Sequence, residues 1–178
     1  FLYLALSFFV AFSAFSIGDD IYESTPKDLN LSYEEIDIIT SQSSISTWWI
    51  PNDSEITIIM LHGLRSQKAD VKILNKIDEF SKLGYSIIAV DFRNHGKSGE
   101  GVFTFGVDEV TDVFKTIEYY RDKKNLKTFG IWGFSYGATT ALLTGLEFDK
   151  KEFNVEIVGI FAESPYMDLL EVFTDQVA

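Results

Sequence analysis

The chain has no cysteine among its 178 residues. Disulfides, a cysteine nucleophile and thiolate metal sites are therefore excluded, although the compartment is left open. Histidine is nearly missing as well, with His62 and His95 the only two. Positive charge is in the minority: 15 Lys and Arg stand against 27 Asp and Glu, for a formal net charge of -12. No basic cluster interrupts that balance, so nucleic acid is not an expected partner. The acidity serves solubility rather than anion binding. With 46% hydrophobic and 24% charged residues, the composition is that of a globular protein, and the length suffices for one domain with a real core.

Charge is absent altogether from residues 1–17, FLYLALSFFVAFSAFSI, before Gly18-Asp19-Asp20 ends the run. A spanning helix needs about 20 apolar residues. The stretch reads as a membrane anchor or as the core of a signal peptide, with Ala11, Ser13, Ala14 and Ser16 around a cleavage site. A buried core helix is the bland alternative, but the run has no polar face. Asp19, Asp20 and Glu23 precede the first lysine, Lys27. That acidic flank is expected on the side away from the cytoplasm, which makes the protein membrane-anchored, or secreted if the segment is cleaved. The chain starts at Phe1 rather than Met and is therefore not expected to be an intact translation product at its start. Two glycosylation triplets, Asn30-Leu31-Ser32 and Asn52-Asp53-Ser54, are too common by chance to carry weight.

Three regions are expected: the hydrophobic segment 1–18, a polar linker 19–32 containing Pro26, and a domain over 33–178. Residues 33–40 and 45–50 read as two strands joined by the turn Ser41-Gln42-Ser43-Ser44, and Pro51-Asn52-Asp53 ends the second. Residues 56–61 form a short, almost continuous apolar run, as in a buried parallel strand. A helix is predicted over 68–83, where Val71, Leu74, Ile77 and Phe80 recur at helical spacing and Gly84 supplies the stop. Another buried strand covers 85–90. Over 107–124, Val107, Val110, Phe114 and Ile117 share a helical face, with Asp108, Glu109 and Asp112 early and Arg121, Lys123 and Lys124 late, as the helix dipole prefers. A strand over 127–132, a helix over 136–148, a strand over 155–162 and a helix starting at 168 follow. This alternation predicts an α/β domain with a mostly parallel sheet and helices on both faces.

Three short motifs follow three of these strands. Gly133-Phe134-Ser135-Tyr136-Gly137 is a G-x-S-x-G pattern between a strand and a helix. Such a turn forces its serine into strained geometry and requires small neighbours, which Gly133 and Gly137 supply. The helix N-terminus also brings partial positive charge to the serine. A glycine-rich turn with a chance serine is the bland reading. His62-Gly63-Leu64 follows the strand over 56–61. Acyl transfer needs two N–H donors aimed at the developing oxyanion. The backbone N–H groups of Tyr136 and Leu64 are the candidates, with Gly63 allowing close approach. The third motif is Asp91-Phe92-Arg93-Asn94-His95-Gly96-Lys97-Ser98-Gly99, a polar glycine-rich loop directly after Val90.

Taken together, the motifs resemble the α/β-hydrolase family, most closely its esterase and lysophospholipase-like serine hydrolases. In that family an H-G loop follows the third strand, D-x-R-x-H-G-x-S the fourth and G-x-S-x-G the fifth. The resemblance covers about residues 33–170. It implies a nucleophile at Ser135, an acyl-enzyme and a small-molecule or lipid ester substrate, with no metal or organic cofactor. A peptidase or amidase would use the same machinery. The family's triad runs Ser, then Asp or Glu, then His. On that order neither His62 nor His95 is the general base; both match structural loop residues, as do Asp91 and Arg93. The resemblance implies that the sheet is incomplete after the sixth strand, that the chain is the N-terminal piece of a longer hydrolase, and that the acid and the base lie beyond residue 178. Glu163 and Asp168, after the sixth strand, are minor candidates for the acid, and Asp168 also reads as a helix cap. A tethered binding module without catalysis is the rival from another class.

Overall fold

The structure, a computed structural model, describes residues 21–102, 104–148 and 153–166. Six strands form one sheet: β1 (Glu34–Ile39), β2 (Ser44–Ile50), β3 (Ile56–Leu61), β4 (Ser86–Val90), β5 (Thr128–Phe134) and β6 (Glu156–Glu163). Their order is β1-β2-β4-β3-β5-β6. β1 and β2 form an antiparallel hairpin, β2 runs antiparallel to β4, and β4, β3, β5 and β6 are mutually parallel. Between the parallel strands lie α1 (Val71–Lys82), α2 (Glu109–Lys124) and α3 (Tyr136–Phe148).

The apolar strands alternate between two cores, as a period of two requires. Ile58 and Met60 of β3, Ile87 and Ala89 of β4, Trp48 of β2 and Trp132 of β5 face α1, which contributes Ile73, Leu74 and Ile77. Ile59, Leu61, Ile88, Val90, Trp49 and Ile131 face the other way. There α2 contributes Val110, Phe114 and Ile117, and α3 contributes Tyr136 and Ala141. Helices therefore cover both faces, as the alternation predicts.

Several elements differ from expectation at their ends. α1 begins at Val71, because the Asp70 side chain accepts from Lys72 N at 2.9 Å and caps the first turn. Val71 is thus a first-turn residue, 74% exposed, and the buried face runs through Ile73, Leu74 and Ile77. Val107 precedes α2 and is exposed as well. Glu109 and Asp112, read as partners of the helix dipole, are buried. Part of the region expected as a polar linker packs on the domain, from Tyr22 on. A short 3-10 helix, Pro26–Leu29, lies in it, and Tyr22, Leu29 and Leu31 join Tyr33 against the Trp48 core.

β6 pairs with β5 alone among the described residues, and its Val158 and Phe161 are exposed. Apolar clefts of about 870 and 310 Å³ flank it on the two faces of the sheet. The predicted hydrophobic segment, 1–18, lies outside the described residues, as do Asp168 and the helix expected there. Among the described residues no helix is long and apolar enough to cross a membrane.

Ile77 is fully buried between α1 and the sheet, so Ile77→Ala should cost about 2–5 kcal/mol in urea unfolding. Val71→Ala should change stability by no more than about 0.5 kcal/mol. Comparable losses at the two positions would mean that α1 rests on a different face.

Candidate active site

β3 and β5 are neighbours, but the helices that follow them, α1 and α3, lie on opposite faces of the sheet. The chains leaving their C-terminal ends diverge, and in a parallel α/β sheet ligands usually bind in the crevice outside such strand ends. Ser135 stands at the end of β5, and His62, Gly63 and Leu64 at the end of β3. The sheet order therefore brings two of the three motifs together.

Ser135 adopts φ 51°, a left-handed conformation that few non-glycine residues hold. Backbone bonds keep it there. Its N–H donates to Glu163 O at 2.8 Å, and its carbonyl accepts from Thr139 N at 3.1 Å. The flanking glycines are steric necessities. A Cβ on Gly133 would collide with the Gly137 carbonyl, and one on Gly137 with the Leu61 carbonyl at the end of β3. Gly63 approaches the Phe134 ring so closely that a Cβ there would sit 3.2 Å from it. The two candidate donors, Leu64 N–H and Tyr136 N–H, thus belong to segments packed directly on each other.

Both histidines are buried and bonded through both ring nitrogens. His62 Nδ1 donates to Gly63 O at 2.7 Å, and its Nε2 accepts from Phe92 N at 3.1 Å. His95 Nδ1 donates to Arg93 O at 2.8 Å, and its Nε2 accepts from Arg65 N at 3.3 Å. These partners fix the neutral Nδ1–H tautomer in each ring. Burial pushes both imidazoles below the usual histidine value, His95 to about 3, where the neighbouring His62 adds to the effect. Their rings lie 4.9 Å apart, and His95 stacks on Tyr136. The histidines therefore tie the motif loops to one another: His62 links the β3 end to Phe92, and His95 holds Arg65, the residue after Leu64, at φ 59°.

The third loop is held by two buried ion pairs. Asp91 accepts from Lys68 N at 2.6 Å, Lys68 Nζ at 3.0 Å, Lys97 N at 3.1 Å and the Tyr22 hydroxyl. Gly96, at φ +50°, passes so close to this carboxylate that a side chain would strike it. Arg93 forms a two-pronged pair with Asp112 of α2, Nε to Oδ2 at 2.7 Å and Nη2 to Oδ1 at 2.9 Å, and also reaches Gln42 and Val102 O. Burial raises the Asp112 carboxyl while Arg93 opposes that shift. Lys68, Tyr22, Glu109 and Asp112 are site-supporting residues that the motifs do not reveal. Glu109 and Asp112 had a signal, since they share helical spacing with the buried Val113 and Thr116. Tyr22 and Lys68 had none.

Glu163 lies at the tip of β6 beside the elbow. Its carboxylate pairs with Lys72 at 2.6 Å, and that ammonium sits 3.3 Å from the centre of the Phe134 ring. Among the described residues no cluster of three or more His, Asp or Glu could hold a metal ion.

The buried histidines set an acid limb for stability. Both are held neutral in the fold and regain ordinary proton affinity on unfolding. Below the ordinary value of 6.5 the unfolded chain binds more protons, so stability falls as pH drops through it, for His95 down to about pH 3. Between pH 6 and 5, His95→Gln should remove about 1 kcal/mol per pH unit from the slope of unfolding free energy against pH. An unchanged slope would show that His95 titrates normally in the folded protein.

Residues 56–154 match the family model of the alpha/beta hydrolase fold. The uncharacterized protein YqkD of Bacillus subtilis (strain 168) is 35% identical over 97 residues, covering 52% of this chain and 30% of that protein. The esterase Pf2001 of Pyrococcus furiosus superposes with a TM-score of 0.77 at 32% identity, over 90% of this chain and 61% of its own. Est1E of Butyrivibrio proteoclasticus, solved with ferulic acid bound, has the same fold at 18% identity, with a TM-score of 0.64 over 73% of this chain and 52% of its own. The chain thus spans about a third of the curated relative and about three-fifths of the esterase. With a matched model over more than half its length and the elbow, H-G loop and Asp91 loop at the ends of β5, β3 and β4, the chain belongs to the α/β-hydrolase family.

Proposed function

We propose that this polypeptide is the front part of a serine hydrolase that cleaves carboxylic esters through an acyl-enzyme on Ser135. The observation that carries the reading is the left-handed Ser135 in a turn whose glycines admit no side chain. A turn of that kind is costly to hold and serves to present a hydroxyl at a helix N-terminus. The likeness to an esterase at 32% identity supports an ester substrate. In this mechanism Ser135 Oγ attacks the carbonyl, and the N–H groups of Leu64 and Tyr136 receive the oxyanion. The adduct collapses, the ester C–O bond breaks, and the alcohol leaves with the proton taken from Ser135; water then attacks the acyl carbon, releasing the carboxylic acid and returning a proton to Ser135 Oγ. No cofactor enters any step.

The base is not His62 or His95, because each ring already donates through Nδ1 and accepts through Nε2. Glu163 is engaged by Lys72 and is read as a structural carboxylate. The triad histidine is therefore assigned to polypeptide following residue 178, which would also cover the apolar faces beside β6, and the acid to that polypeptide or to Asp168. The esterase, of which this chain spans 61%, has length to spare for both. The uncharged run 1–17 is read as a membrane anchor that holds the hydrolase outside the cytoplasm. Carbonate-washed membranes should retain the full-length protein; its release into the wash would contradict an anchor.

The test of catalysis is hydrolysis of a short-chain nitrophenyl ester by the full-length protein. A burst of nitrophenol equal to the enzyme concentration is expected, followed by slower turnover. Ser135→Ala should lower kcat/KM by about 10⁴-fold or more, and Glu163→Gln by less than about 3-fold. Turnover that survives Ser135→Ala would sink the proposal, and a loss of about 10³-fold or more in Glu163→Gln would make Glu163 the triad acid instead.

A further inference from the structure

We propose that Tyr22 is a positioning residue for the acyl-transfer site: its hydroxyl completes the donor shell of Asp91 and, through that carboxylate, holds the loop that carries Leu64. The inference rests on the serine-hydrolase reading of Ser135 and adds a residue outside the stretch, 56–154, that matches the family model.

Asp91 is fully buried. Its carboxylate joins three segments far apart in sequence. Oδ1 accepts from the backbone of Lys68, in the loop after β3. Oδ2 accepts from the backbone of Lys97, in the loop after β4, and from the hydroxyl of Tyr22. The Tyr22 oxygen also accepts from Lys97 N at 3.2 Å, so the hydroxyl bridges the carboxylate and the second loop.

Tyr22 does a second job with its ring. Lys68 Nζ is buried, bonded to Ser46 Oγ at 2.7 Å and to Asp91 at 3.0 Å. The ammonium lies 4.9 Å from the centre of the Tyr22 ring and 5.3 Å from that of Trp48. The two rings are packed edge to face, 5.1 Å apart. Tyr22 thus walls off the ion pair that it also hydrogen-bonds. Such a pair keeps its strength only while water is excluded and every donor and acceptor is met.

The oxyanion loop depends on this pair at one of its two anchors. Residues 63–68 are pinned at Arg65 by His95 Nε2 and at Lys68 by Asp91. Leu64 stands between Gly63 and the first anchor. An oxyanion donor must sit within about 0.5 Å of its working position to be effective. Loosening the second anchor lets the loop drift, and the Leu64 N–H with it.

Two measurements on the full-length protein test this, with Tyr22→Phe as the main variant because it keeps the ring and removes only the hydroxyl. Tyr33→Phe is the control: Tyr33 lies in the same segment before β1 and against the same Trp48, 5.5 Å between ring centres, with no bond to Asp91. The first measurement is backbone hydrogen exchange. In Tyr22→Phe, amides 64–68 should exchange about 10-fold faster, those of β5 should be unchanged, and Tyr33→Phe should match the wild type. The second is the rate of Ser135 phosphonylation by a fluorophosphonate. In Tyr22→Phe its maximal rate should fall about 5- to 10-fold, with the reagent's half-saturating concentration unchanged. Wild-type exchange in Tyr22→Phe would overturn the clamp. Faster exchange with an unchanged labelling rate would overturn the positioning role. A wild-type protein that never labels would instead overturn the hydrolase reading and the catalytic half of this proposal, while exchange would still decide the clamp.

Discussion

Everything at the site depends on one close approach, that of the first turn of α3 to the end of β3. Gly137 makes it: no side chain fits between its backbone and the Leu61 carbonyl. Because α3 begins there, the turn before it must be sharp, and Ser135 takes a left-handed conformation to close it. Gly133 is required on the other side of the turn for the same reason. The constraint has a chemical result. It sets the nucleophile candidate, the N–H of Tyr136 and the loop of Leu64 at one point of the crevice, at the positive end of a helix.

The loops around that point are irregular backbone and cannot hold themselves by ladders of hydrogen bonds. Buried polar side chains do so instead. Asp91 gathers Lys68, Lys97 and Tyr22; Arg93 reaches Asp112, Gln42 and Val102; the neutral histidines bridge the loops after β3 and β4. Each group is satisfied, so the burial that would otherwise make it costly instead fixes the geometry. Removing one member leaves the others buried without partners, so these side chains act together rather than as a sum.

The sheet was legible in the sequence because its strands are short apolar runs with sharp ends. The run 56–61 coincides with β3, and 136–148 with α3. The elbow was legible for a steric reason: few residue combinations can close that turn. Other features were hidden. Val71 fits the helical spacing yet is exposed, because Asp70 starts the helix there and the buried stripe runs through Ile73. Glu109 and Asp112 match a dipole pattern, although their carboxylates turn inward to Thr104, Gly106 and Arg93. Tyr22 and Lys68 meet Asp91 only through tertiary folding, across 69 and 23 residues, and no local pattern marks such a contact.

The most direct test is to treat the full-length protein with a fluorophosphonate and map the adduct by peptide mass spectrometry. The strained elbow predicts one adduct per chain, on Ser135. It also predicts that prior denaturation abolishes labelling, because the reactivity belongs to the folded turn. No adduct on the native protein, or an adduct on another residue, would contradict the assignment of Ser135 as the nucleophile.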